Sequence, residues 1–155
     1  MLLLLNTLLF FSLSFSKVTY RFVPLVGAPA FLPPLHQELV LFNDDPTDAS
    51  NPHILDFLPD DADEPATIKS LVTFKSVPAT IRFRSLPKPL PTSSAQPFVL
   101  DCARSPILQG EIDSFITNWK QKRPDLHLLS NNCYSFCVEF LSEIESRDPM
   151  KRSIK

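Results

Sequence analysis

LLSNNCYSFCVEFL, residues 128–141, sets two cysteines four positions apart behind a pair of asparagines. Asparagine favours the N-cap because its side-chain oxygen accepts from the unpaired N–H groups of a first helical turn. Ser130, Asn131 and Asn132 therefore predict a helix start. The apolar spacing behind them predicts a helix over Cys133 to Glu145, with Tyr134, Cys137, Leu141 and Ile144 on its core face and Phe140 beside them. Cys133 then lies in the first turn, where the helix dipole and the unpaired N–H groups favour a thiolate. That makes Cys133 a candidate nucleophile, with Asn131 or Asn132 as an amide donor toward an oxyanion. Cys137 falls one turn later, on the core stripe. The competing reading of Cys133 is a small buried hydrophobe, and the groups around it decide between the two.

A nucleophilic thiol needs a base, and the chain offers His36, His53 and His127. LHQELVLF (35–42) and HILDFLP (53–59) read as strands, and the polar stretch NDDPTDASNP between them predicts a hairpin. If the hairpin closes about that loop, position 36 comes opposite 56–58, so Asp56 would orient the His36 ring. His53 lies nearer the loop. His127 sits between apolar residues in DLHLL, which reads as extended.

The remaining elements follow the same logic. A helix is expected over roughly Glu64 to Phe74, with Pro65 in its first turn. ATIRFRSL (79–86) alternates as a strand, with Ile81 and Phe83 on one side and Thr80, Arg82 and Arg84 on a wet side. PKPLPTSSAQP (87–97) is a linker by composition, and FVLDCA (98–103) a short strand. GEIDSFITNWKQKRP (110–124) is an amphipathic helix with Ile112, Phe115, Ile116 and Trp119 as its stripe. The sum is an α+β domain over 36–146, a small antiparallel sheet with an early hairpin packed against two or three helices. Residues 17–35 form an extended proline-rich lead-in and 147–155 a basic tail.

The 155 residues are 44% hydrophobic and 21% charged, enough to build one core. A net charge of −2 with scattered basic residues excludes a nucleic-acid footprint, and Arg82 and Arg84 read as solvation of a wet face. Widely spaced histidines and the absence of paired CxxC units give no metal site and no cofactor. The first sixteen residues, MLLLLNTLLFFSLSFS, are apolar but short for a membrane span. They read as a signal peptide cleaved near Ser16, which places the chain in the secretory pathway or outside the cell. The alternatives are an uncleaved anchor, with membrane association through this segment, or organelle targeting.

The segment LLSNNCYSFCVEFL resembles the cysteine segment of permuted papain-fold thiol proteins, the PPPDE peptidases and the lecithin:retinol acyltransferase-like proteins. In those families an Asn-Cys pair opens a helix carrying an aromatic three residues on, and a histidine opening an early strand precedes the cysteine. His36 opening HQELVLF, then HILDFLP, then Cys133 with Phe136 follow that order. The resemblance implies a permuted papain-like fold, with Cys133 as nucleophile, His36 as base and Asp56 or His53 as orienter. Gln37 and Glu38 depart from the small or aromatic residues that commonly flank the histidine there, and the glycines frequent in the families' strand turns are missing. The implied activity is hydrolysis or acyl transfer at an amide, ester or thioester carbonyl of an unidentified acyl or peptide substrate. The other expectation is a non-catalytic secreted or membrane-associated interaction domain. Its marker would be Cys133 in a disulfide with Cys102, or buried away from any histidine.

Overall fold

The computed structural model describes residues 13–24, 36–43, 52–86, 99–102 and 105–147. Strands β3 (His36–Phe42) and β4 (His53–Pro59) are the expected hairpin partners, paired antiparallel with Val40 opposite Ile54. Both are buried at all but one residue, polar side chains included, and both lie inside the sheet rather than at its edge. Strand β5 (Val77–Ser85) pairs with β4 along its length and sets Arg82 opposite Asp56. On the other side, β2 (Lys17–Val23) runs against β3 with Arg21 opposite Glu38. Strands β6 (Val99–Asp101) and β8 (Asp125–Leu126) close the edges, giving the order β6-β2-β3-β4-β5-β8, antiparallel throughout. A two-residue ribbon joins β1 (Ser14–Phe15) to β7 (Ile107–Leu108).

Three helices complete the α+β architecture: α1 (Pro65–Val72), α2 (Gln109–Lys122) and α3 (Cys133–Glu145). Pro65 opens α1, where its missing N–H costs nothing. The Glu111 carboxylate accepts from the Leu108 N–H at 2.9 Å and satisfies one donor at the start of α2. At α3, Asn132 Oδ1 accepts from the Ser135 N–H at 2.9 Å, while Ser135 Oγ accepts from the Asn132 N–H at 2.9 Å. This reciprocal box fixes where the helix begins and hence where Cys133 stands.

Helices α2 and α3 bury their stripes against one face of the sheet. Ile112, Phe115 and Trp119 of α2 and Phe136, Cys137, Phe140 and Ile144 of α3 share a core with Leu39, Leu41, Leu55 and Phe57. Phe136 lies at the centre, its ring 5.0 Å from that of Trp119, 5.3 Å from Phe115 and 5.8 Å from Phe57. The α3 stripe differs from the one expected. Tyr134 is 61% exposed and Phe136 is fully buried. The face that meets the sheet runs through 133, 136–137, 140 and 144, at spacings of three and four that start from Cys133 and leave Tyr134 a hundred degrees away.

The folded unit also begins earlier than residue 36. KVTYRFV, assigned to the lead-in, is the strand β2, hydrogen-bonded on both sides. Phe15 is fully buried, with its ring edge-on to Phe83 and His53. A cleavage after Ser16 would remove this core residue and all of β1. The segments 1–12, 25–35, 87–98 and 148–155, which hold most of the expected leader, the proline-rich lead-in, the Pro/Ser linker and the tail, lie outside the described residues. Among the described residues no helix is long and apolar enough to cross a membrane.

Candidate active site

The β3–β4 pairing runs as far as Leu39 and Leu55. Toward His36 the start of α3 supplies partners for the backbone of β3. The Gln37 N–H donates to Cys133 Sγ at 3.4 Å, and Cys137 S–H donates to the Gln37 carbonyl at 3.7 Å. In an antiparallel strand the N–H and C=O of one residue point the same way. Two thiols one helical turn apart thus cover the backbone of a single strand residue, and the nearer one is brought beside His36.

His36, Asp56 and Cys133 converge here. His36 Nε2 stands 3.6 Å from Asp56 Oδ2, an ion-pair separation just beyond a closed hydrogen bond. The same ring engages the Cys133 sulfur by hydrogen bonding and by charge. His36 and Asp56 are buried and Cys133 is half-buried.

The electrostatics favour a charged pair. Burial works against the His36 imidazolium, but Asp56 and Cys133 outweigh it and raise its pKa from 6.5 to about 9. Burial likewise works against the Cys133 thiolate. The His36 hydrogen bond, the Gln37 N–H, the His36 charge and the Tyr134 N–H reverse that and hold the thiol below its ordinary value. Asp56 follows the same pattern: despite burial, His36 and Arg82 lower its pKa to about 2. The shifts run toward a Cys133 thiolate beside a protonated His36, with Asp56 ionised behind the ring.

The carboxylates are held from the neighbouring strands. Arg82 grips both oxygens of Asp56, Nε to Oδ1 at 3.0 Å and Nη2 to Oδ2 at 2.7 Å. Arg84 Nη2 lies 3.5 Å from Asp56 Oδ2 and 3.6 Å from Glu38 Oε2, and Arg21 pairs with Glu38. Arg82 and Arg84 are therefore ion-pair partners rather than the solvated wet-face residues expected. Alternation along β3, β4 and β5 shows which residues share a face, but the arginine–carboxylate pairing needs the cross-strand register. His36, Glu38 and Asp56 each offer a donor atom within 4.8 Å of the others, a metal-like spacing. Both carboxylates are already held by guanidinium groups, so a dication would have to displace cations there.

The other candidates have different roles. The His53 ring stacks on Phe83 at 5.1 Å, with Nε2 2.9 Å from Ser85 Oγ, so Asp56 and not His53 faces the His36 ring. His127 braces a turn, with Nε2 3.1 Å from the Phe74 carbonyl and Nδ1 accepting from the Leu129 N–H at 3.3 Å. The expected amide donors are committed elsewhere. Asn132 caps α3 and donates Nδ2 to the Leu128 carbonyl at 2.6 Å, and Asn131 Nδ2 donates to the Asp125 carbonyl. All three cysteines are free thiols, so Cys133 carries no bridge to Cys102. Cys102 is pushed up to about 11, first by burial and then by Asp101 and Glu145, and burial carries Cys137 well above its ordinary value. Compared with family models, curated proteins and solved structures, the chain shows no match to any of them.

Proposed function

We propose that the chain is a cysteine-dependent hydrolase or acyltransferase that acts on an amide, ester or thioester carbonyl. What carries this reading is the convergence of Cys133 from the last helix with His36 and Asp56 from two early strands, in a setting that favours the thiolate. The histidine strand precedes the cysteine helix, the order of the permuted papain-fold families, and membership of that group belongs to the same proposal. So do an acyl or peptide substrate and a secretory or membrane setting.

In the reaction, the Cys133 thiolate attacks the carbonyl carbon, a C–S bond forms and the carbonyl electron pair moves to oxygen at the positive end of α3. Collapse of that adduct breaks the bond to the leaving group, which takes the His36 proton. Neutral His36 next removes a proton from water, or from an acceptor alcohol or amine, as that nucleophile attacks the thioester carbon. The C–S bond breaks, Cys133 leaves as thiolate and His36 is protonated again. Asp56 stays ionised throughout and holds the ring in place.

The test uses activated acyl esters and thioesters with the full chain, followed by intact-mass and peptide analysis. The expected result is an acyl group on Cys133 that forms and turns over in wild type. It forms at least about a hundredfold more slowly in His36→Asn, the scale of a lost general acid–base. Acylation confined to lysines, or Cys133 acylation indifferent to His36, would overturn the proposal.

A further inference from the structure

We propose that Arg82 is a positioning residue of this site: it locks the Asp56 carboxylate in the orientation that turns Oδ2 toward His36, and through His36 it sets the reactivity of Cys133. This inference rests on the Cys133/His36/Asp56 reading above.

The geometry of the clamp is the first argument. Asp56 is fully buried, and β-sheet register sets Arg82 directly opposite it. Two parallel bonds from one planar guanidinium, at 3.0 and 2.7 Å, fix the rotation of the carboxylate in a way that a single contact does not. The oxygen bound at 2.7 Å, Oδ2, is the same one that faces His36 Nε2 at 3.6 Å. The arginine fork therefore determines which lone pairs the imidazole meets. Lysine, a point charge with rotatable donors, cannot impose that plane.

Charge is the second argument. Around Asp56 stand Arg82 and Arg84 from β5 and His36 from β3, while Glu38 of β3 shares Arg84 and is paired with Arg21 of β2. Around the thiol stand His36, the Gln37 and Tyr134 N–H groups, and Cys137 one turn along α3. Arg82 holds Asp56, and the path from it to the thiol runs through Asp56 and His36. Without Arg82 the fully buried Asp56 would keep only the longer contacts to Arg84 and His36. Burial would then favour its neutral form, which cannot hold an imidazolium.

The experiment is the pH–rate profile of Cys133 alkylation by iodoacetamide in the full chain. It compares wild type, His36→Asn, Asp56→Asn, Arg82→Ala, Arg82→Lys and the double variant Asp56→Asn/Arg82→Ala. Arg82→Ala is expected to raise the midpoint by about one pH unit, a tenfold loss of thiolate below the midpoint. Asp56→Asn should shift it the same way, the double variant no further than Asp56→Asn alone, and Arg82→Lys to a value between wild type and Arg82→Ala. If circular dichroism shows Arg82→Ala unfolded, Arg82→Lys carries the test by itself. A wild-type midpoint in the folded Arg82 variants, even with a lower melting temperature, reduces Arg82 to a structural ion pair and overturns the proposal. So does a double variant whose shift is the sum of the single shifts, because Arg82 would then act by a path other than Asp56. A midpoint that moves in neither His36→Asn nor Asp56→Asn overturns the three-residue reading itself, a different outcome from failure of Arg82 alone.

Discussion

Limiting iodoacetamide at neutral pH is expected to modify Cys133 and to spare Cys102 and Cys137. The Cys133 thiol is held below its ordinary 9.0, whereas Cys102 is pushed up to about 11. Below both values the thiolate fraction falls tenfold per unit of pKa, so a gap of more than about two units gives Cys133 over about a hundredfold more thiolate. The more basic thiolate is the better nucleophile, with a slope of about 0.4–0.5, which at a gap of about two units returns about six- to tenfold to Cys102. The net chemical preference for Cys133 is therefore at least about tenfold. Access works in the same direction, because Cys137 is 0% and Cys102 7% exposed while Cys133 is half-buried. The assay adds substoichiometric reagent to the native chain, quenches, unfolds, caps the remaining thiols with a reagent of different mass and maps the peptides. Labelling of Cys102 at a rate comparable to Cys133 would refute the reasoning, as would a Cys133 that reacts no faster than it does in denaturant.

Two further outcomes follow from the packing and the charges. Phe15→Ala removes a fully buried ring that meets Phe83 and His53 and should cost about 3–5 kcal/mol in a urea melt; a loss under about 1 kcal/mol would show that β1 is not part of the core. Asp56, lowered in the fold from 3.8 to about 2, contributes stability that is present above the unfolded value and lost as pH falls toward 2. His36, raised from 6.5 to about 9, contributes stability that is complete below 6.5 and lost as pH rises through 9. Urea midpoints across pH should fall at both ends, with Asp56→Asn flattening the acid side and His36→Asn the alkaline side; limbs unchanged in these variants would contradict the assigned charges.

Local signals carried much of the architecture. The Asn132 cap and the spacing behind it define α3 because the box with Ser135 is built from neighbouring residues. HQELVLF and HILDFLP could be read as a hairpin, and Asp56 as the partner of His36, because antiparallel register follows from where the loop lies. Strand β2 was hidden for a different reason. KVTYRFV alternates Lys17, Thr19 and Arg21 with Val18, Tyr20 and Phe22, yet it sits between an apolar leader-like run and a proline-rich stretch that dominate the local composition. The α3 stripe slipped by one position because Tyr134 and Phe136 are both aromatic, and only packing decides which of them meets Trp119 and Phe57. Arg82 and Arg84 looked like solvation because arginines on an alternating strand carry no mark of the carboxylates facing them.

The central claim is that His36 folds back onto Cys133 and stabilises its thiolate. Ultraviolet absorbance of the thiolate, titrated against pH, measures this without a substrate, and Cys133→Ser identifies the signal that belongs to Cys133. The account predicts a Cys133 midpoint below 9.0 in wild type that moves upward in His36→Ala as the buried thiol loses its imidazolium. A wild-type midpoint at or above 9.0, or one that stays in place in His36→Ala, would contradict it.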